Sequence, residues 1–154
     1  MRLVVAVVGK ARNPALGEAI RDYEKRAARY WPLDVHEVRE ERAAGISVDK
    51  VREREGLRLA DKIPERAQTV ACDIAGRSFD SAAFAEFLQR AREQDRDLAF
   101  LIGGAFGLPS DLTAGSSVRL SLAPWTLPHE IARLVLAEQI YRAGTIVRGE
   151  PYHK

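Results

Sequence analysis

Three short stretches hold most of the residues that can do chemistry in this chain. The first is Gly103-Gly104-Ala105-Phe106-Gly107, directly after the apolar run Leu98 to Ile102. Residues without side chains at the end of such a run let backbone N–H and C=O groups come close to a ligand. The spacing is not the dinucleotide fingerprint, because Ile102 stands where a glycine is needed, and no Gly-Lys-Ser/Thr of a phosphate-binding loop is present. Taken alone, a double glycine after a strand is more often a tight turn than a ligand contact. The second stretch is Pro124-Trp125-Thr126-Leu127-Pro128, whose two prolines stiffen the backbone. Such a loop can offer amides and carbonyls to a flat ring between apolar walls from Trp125 and Leu127. The competing reading is a rigid connection into a helix that begins near Pro128.

The third stretch is the C-terminal region. His129, at a helix start, is a candidate proton acceptor or phosphate contact, and also an ordinary cap or surface group. Glu138 lies within a helical face that is otherwise apolar, and Arg142 at i+4 is its natural ion-pair partner. Arg133, Arg142, Arg148, His153 and Lys154 interleave with Tyr141 and Tyr152. Cations beside aromatics suit phosphate contact and base stacking on RNA, against the alternative of a solvated face. Cys72 is the only cysteine and reads as a small packed side chain. With three dispersed histidines the chain offers no metal-ligand spacing, so no metal is expected.

These residues need a scaffold, and hydrophobic periodicity predicts one. Leu3 to Gly9 is apolar without alternation, as in a strand buried on both faces of a parallel sheet. After Asn13-Pro14, apolar positions recur every three or four residues up to Tyr30, and Trp31-Pro32 closes that helix. Leu33 to Val38 reads as a second strand, and Val48 to Ile63 as a charged helix ended by Pro64. Thr69 to Ile74 is a third strand with a turn at Gly76, followed by a helix capped at Asp80-Ser81. Leu98 to Ile102 and Val118 to Ala123 complete five strands, with a short helix from Pro109 between them. A last helix runs from His129 to Ala143, ends at Gly144, and leaves a tail to Lys154. The class is α/β with a largely parallel sheet, and ligands in such sheets sit outside the carboxyl ends of the strands. Cys72 to Gly76, Gly103 to Gly107 and Ala123 to His129 all fall there.

The chain has 154 residues, 46% hydrophobic and 30% charged, which suits one domain over residues 1–154. Twenty-four Lys and Arg against 22 Asp and Glu give a net charge of +2, so nucleic acid is neither demanded nor excluded. Nineteen of those cations are arginine, the side chain suited to bidentate phosphate or carboxylate contact. The longest uncharged stretch, Leu98 to Ser110, is 13 residues against the roughly 20 that cross a bilayer, so no membrane association is expected. The apolar start Leu3 to Val8 lacks a small-residue cleavage site and reads as a buried strand, not a signal peptide. A lone cysteine is consistent with a reducing, cytoplasmic setting.

Read together, VVAVVGK near the start, DIAG after the third strand, FLIGGAFG, LAPWTLPHEIARLVLAEQIYRA and the ending RGEPYHK resemble the RlmH family of ribosomal large subunit methyltransferases, members of the SPOUT superfamily. The resemblance covers essentially the whole chain. It implies a parallel-sheet α/β fold with a C-terminal trefoil knot, S-adenosylmethionine as methyl donor, and a pseudouridine in 23S rRNA as substrate, methylated at N3. It further implies a homodimer acting on the assembled ribosome. Carried onto this chain, the cofactor pocket is Cys72, Gly104 and the loop Ala123, Pro124, Trp125, Thr126, Leu127 and Pro128, with Gly103 as adjoining hinge. Cys72 replaces a frequent leucine, which keeps an apolar wall but makes it smaller. GGAFG departs from the GGPEG of some relatives, so no role attaches to the side chains at 105 and 106.

Transfer of a methyl group to N3 also requires that its proton leave. His129 and His153 are the candidate groups, with Arg142 as an electrostatic alternative. Arg142, Tyr152, His153 and Lys154 are the expected rRNA contacts, reached across the dimer. Two alternatives stand beside this reading. One is another SPOUT enzyme acting on tRNA or a different rRNA position, against which the absence of an added RNA-binding domain argues. The other is a non-catalytic ribosome assembly factor, which would have no use for both the glycine turn and the proline loop.

Overall fold

The computed structural model describes residues 1–153, and for His153 the backbone alone. Five strands, β1 (Leu3–Val8), β2 (Leu33–Val38), β3 (Gln68–Ser78), β4 (Leu98–Ile102) and β5 (Val118–Ser121), form one sheet in the order β2-β1-β4-β3-β5. Every pairing is parallel. Parallel neighbours require crossovers, and helices supply them: α1 (Pro14–Ala27), α2 (Val48–Ala60), α3 (Ser81–Glu93), the short α4 (Ser110–Gly115) and α5 (His129–Val147). A 3₁₀ turn at Pro151–His153 follows.

The starts of the helices come from local chemistry. Asn13 Oδ1 accepts the N–H groups of Ala15 and Leu16, with Pro14 in the first turn of α1. Ser47 and Asp80 cap α2 and α3 in the same way. Strand alternation then sorts side chains to the two faces of the sheet. Leu3, Val5 and Val7 of β1 join Leu98, Phe100 and Ile102 of β4 in the larger core, with Leu88 of α3 and Leu136 and Ile140 of α5. Ala6, Val8 and Leu101 point the other way, into a smaller core with Leu59 of α2. Both faces are covered, which explains why β1 and β4 read as unbroken apolar runs.

Three expectations need correction. Gly144 does not end the last helix; α5 continues to Val147. A Cβ at Gly144 would lie 2.4 Å from Tyr30 Cγ, so the glycine serves close packing of a ring, not a C-cap. Gly76 marks no chain reversal, because β3 extends to Ser78. Instead the strand bulges, with Cys72 and Arg77 both facing Leu120 of β5. A Cβ at Gly76 would come within 2.6 Å of the Arg119 backbone, which fixes glycine at the bulge. The tail also contains the 3₁₀ turn where no element was expected.

Candidate active site

The bulge in β3 and the turns after β4 and β5 meet at the carboxyl edge of the sheet, around a cavity of about 560 Å³. That is within the roughly 300–1,000 Å³ of small-molecule and cofactor sites. One wall is the glycine turn after β4. Gly107 donates its N–H to Gly104 O at 3.0 Å and has φ +80°, so GGAFG is both a tight turn and a cavity wall. A Cβ on Gly103 would lie 2.5 Å from the Gly107 carbonyl carbon, which leaves no room for any side chain at the hinge. The second wall is Cys72, Asp73 and Ile74 from the bulge. Burial pushes the Cys72 thiol up to about 12, so it stays protonated and acts as an apolar surface, not a competing nucleophile. Asp73 accepts Arg119 Nε at 3.0 Å.

The third wall comes from the β5–α5 loop, where Ala123, Trp125, Thr126 and Leu127 line the cavity. Buried Ser121 donates its hydroxyl to Ala123 O at 2.8 Å and stiffens the start of that loop. Pro124 and Pro128 do not line it; Pro128 is the N-cap residue of α5, and its carbonyl accepts the Ala132 N–H at 2.9 Å. The proline loop is thus a pocket wall and a helix start at once. Around the mouth, Trp125 is 76% exposed, with Ile74 and Phe106 also exposed, an apolar rim on an otherwise charged surface.

Of the candidate proton-handling side chains that the structure describes, one is on the cavity. His129 lines it; its Nε2 lies 3.6 Å from Glu40 Oε1 and is buried without a hydrogen-bond partner among the described residues. Glu40 is in turn paired with Arg12, whose N–H donates to Glu130. Arg142 is 13 positions further along α5, about 20 Å from His129 at 1.5 Å per residue, and does not line the cavity. The side chain of His153 and all of Lys154 lie outside the described residues.

Arg142 and Tyr152 are instead joined to each other. Arg142 donates to Glu138 Oε1 through Nε (2.9 Å) and Nη2 (2.6 Å), and its guanidinium sits 4.8 Å from the centre of the Tyr152 ring. Tyr152 donates its hydroxyl to the same oxygen at 3.1 Å and reaches Tyr23 Oη at 3.3 Å. Burial, the Tyr23 contact and the Glu138 carboxylate push the Tyr152 phenol upward, and the carboxylate raises the Arg142 guanidinium too. Arg133, another expected surface cation, is 6% exposed and ties α5 to Glu24 and Glu37. Sequence reasoning missed Arg52 of α2, a cavity residue whose Nε donates to Phe106 O at 2.7 Å. No spacing links α2 to the glycine turn, so nothing in the sequence signalled it. Among the described residues no group of three or more His, Cys, Asp or Glu is placed to hold a metal, and no helix is long and apolar enough to cross a membrane.

Comparison with known proteins gives this arrangement a class. A family model described as "Predicted SPOUT methyltransferase" matches residues 1–153. Among solved structures, a probable methylase family protein from Haemophilus influenzae Rd KW20 superposes with a TM-score of 0.57 over 99% of this chain and 70% of that one, at 11% identity. At that identity the likeness is one of fold. Curated relatives are far nearer in sequence. The ribosomal RNA large subunit methyltransferase H of Gemmatimonas aurantiaca is 58% identical over 100% of both chains. Proteins of the same name from Anaeromyxobacter sp. (strain K) and Syntrophotalea carbinolica are 43% identical over 100% of both chains and 39% identical over 99% of both. The chain belongs to the SPOUT methyltransferases and, within them, to the ribosomal RNA large subunit methyltransferase H family.

Proposed function

We propose that this protein methylates N3 of a pseudouridine in 23S rRNA on the assembled ribosome, in the cytoplasm, with S-adenosylmethionine as the donor. The observation that carries the reading is the three-walled cavity, formed by the stretches through which the chain resembles its full-length relatives. The residues present fit the donor. A side-chain-free turn at Gly103 and Gly104 offers backbone polar groups, the apolar wall of Cys72 and Leu127 suits an adenosine, and the His129 side chain stands on the same cavity. Ala123, Pro124, Trp125, Thr126 and Pro128 complete the proposed donor-binding set, with the two prolines acting through backbone shape. When bound, S-adenosylmethionine supplies the electrophilic sulfonium methyl.

The chain's own contribution is alignment and proton handling. His129 is the proton acceptor this geometry favours: it opens α5 at the cavity wall, and Glu40 stands against its Nε2. Arg142 is too far along α5 to serve its own cavity, so any role for it in transfer is across a dimer. A homodimer also suits the exposed apolar rim at Ile74, Phe106 and Trp125. In that arrangement the tail, with Tyr152, His153 and Lys154, meets rRNA at the partner's cavity. The reading includes one domain over residues 1–154 with the C-terminal trefoil knot of the superfamily.

The test is methyl transfer from labelled S-adenosylmethionine to intact ribosomes, free large subunits and bulk tRNA from cells lacking the endogenous activity. The expected product is N3-methylpseudouridine from ribosomal substrate alone. Label in tRNA would overturn the substrate, and no label with no donor binding would overturn the enzyme.

A further inference from the structure

Glu55 of α2 is 4% exposed, which is rare for a carboxylate with no ion pair within 4.0 Å among the described residues. Its Oε1 accepts the Glu41 N–H at 3.0 Å, while Oε2 is buried with no hydrogen-bond partner among the described residues. A half-satisfied buried carboxyl costs stability, so its retention calls for another reason. The carboxyl lies behind the glycine turn. A Cβ built on Gly104 would meet Glu55 Oε2 at 2.8 Å, Val8 Cγ1 at 3.0 Å and Glu55 Oε1 at 3.2 Å.

Gly104 therefore has two possible reasons to be glycine. One is approach of a ligand's atoms to its backbone; the other is that the space a side chain needs is already filled from behind. The distances support the second. Two further contacts of α2 reach the same loop: Arg52 Nε donates to Phe106 O at 2.7 Å, and a Cβ on Gly56 would lie 2.5 Å from Pro109 Cγ. Positions 52, 55 and 56 share one face of the helix by their spacing. That face grips the turn at Phe106, Gly104 and Pro109.

We propose that Glu55 is a positioning residue for the donor cavity, a wedge behind Gly104 that sets the Gly104–Gly107 turn and ties it to the Glu41 backbone. The proposal rests on the donor reading of the cavity, and its test separates the two. S-adenosylhomocysteine binding and Tm are measured for wild type, Gly104→Ala, Glu55→Ala, Glu55→Gln and the Gly104→Ala/Glu55→Ala pair. Both alanine single variants weaken binding. The pair binds about tenfold more tightly than the product of the single losses, a coupling within the range of residues in contact. Glu55→Gln, which keeps the shape and the acceptor for Glu41, recovers most of what Glu55→Ala loses. Additive losses in the pair, or a Glu55→Gln variant as weak as Glu55→Ala, would overturn the wedge. Wild type that fails to bind S-adenosylhomocysteine overturns the donor reading instead; the same cycle is then read in Tm, where additivity still overturns the wedge and coupling supports it.

Discussion

The two ends of α5 contrast in how their polar groups are satisfied. At the first residue, His129 lines an open cavity, and its Nε2, 3.6 Å from Glu40 Oε1, has no hydrogen-bond partner among the described residues. In the second half of the helix and beyond, Arg142 and Tyr152 converge on Oε1 of Glu138, the mid-helix residue, whose Oε2 accepts from Gln139. Both regions carry residue types that suggest function, yet only one of them lies on the cavity. A polar side chain on a cavity wall can answer a ligand, whereas a network bonded to its own fold holds that fold together. The C-terminal cluster thus anchors the 3₁₀ turn to α5 through Tyr152.

Three substitutions break or sharpen that contrast. The largest effect is expected at the open end. His129→Asn should lower kcat for ribosome methylation about 100-fold, the lower part of the range for a lost proton-transfer group, with a far smaller change in donor affinity. A kcat within a few fold of wild type would show that another group takes the proton. At the saturated end, Glu138→Ala removes the shared acceptor of Arg142 and Tyr152 and should cost about 1.5–3 kcal/mol of stability, read by denaturant unfolding. Donor affinity should hold; a parallel fall in affinity would mean that the two ends are not separate.

The smallest effect is a pH slope at Glu55. Burial raises its carboxyl above the ordinary carboxylate value, with Glu40 and Glu41 adding to the rise and the Glu41 N–H and Arg58 opposing it. The folded state then holds the proton more tightly than the unfolded one, so this stabilisation is full below the unfolded value and fades as pH rises through the folded value. The Tm of Glu55→Gln relative to wild type should therefore climb from acid pH towards neutrality. A flat difference would place the carboxyl in an ordinary ionisation range.

The sheet and most helix boundaries were legible because buried parallel strands and capped amphipathic helices leave local signals, as at Leu3–Val8 and Asn13-Pro14. The pairing of Glu138 with Arg142 was legible for the same reason, being four residues apart on one helix. Gly144 misled because a glycine near a helix end fits a cap and a close contact equally, and Tyr30, which decides it, is far away in sequence. The bulge at Cys72–Arg77 depends on the register against β5, and the grip of Arg52 and Glu55 on the glycine turn on α2 packing over β1 and β2; neither leaves a periodicity to read. That Arg142 and Tyr152 share one Glu138 oxygen was not legible, because Tyr152 reaches it from the 3₁₀ turn beyond the helix.

The central claim is that ligand binding belongs to the cavity at the start of α5 and not to the network at its end. Hydrogen exchange with and without S-adenosylhomocysteine tests it segment by segment. The account predicts added protection across residues 102–108 and 122–132, with residues 138–152 unchanged. Protection concentrated in 138–152, with the glycine turn and proline loop unaffected, would contradict it.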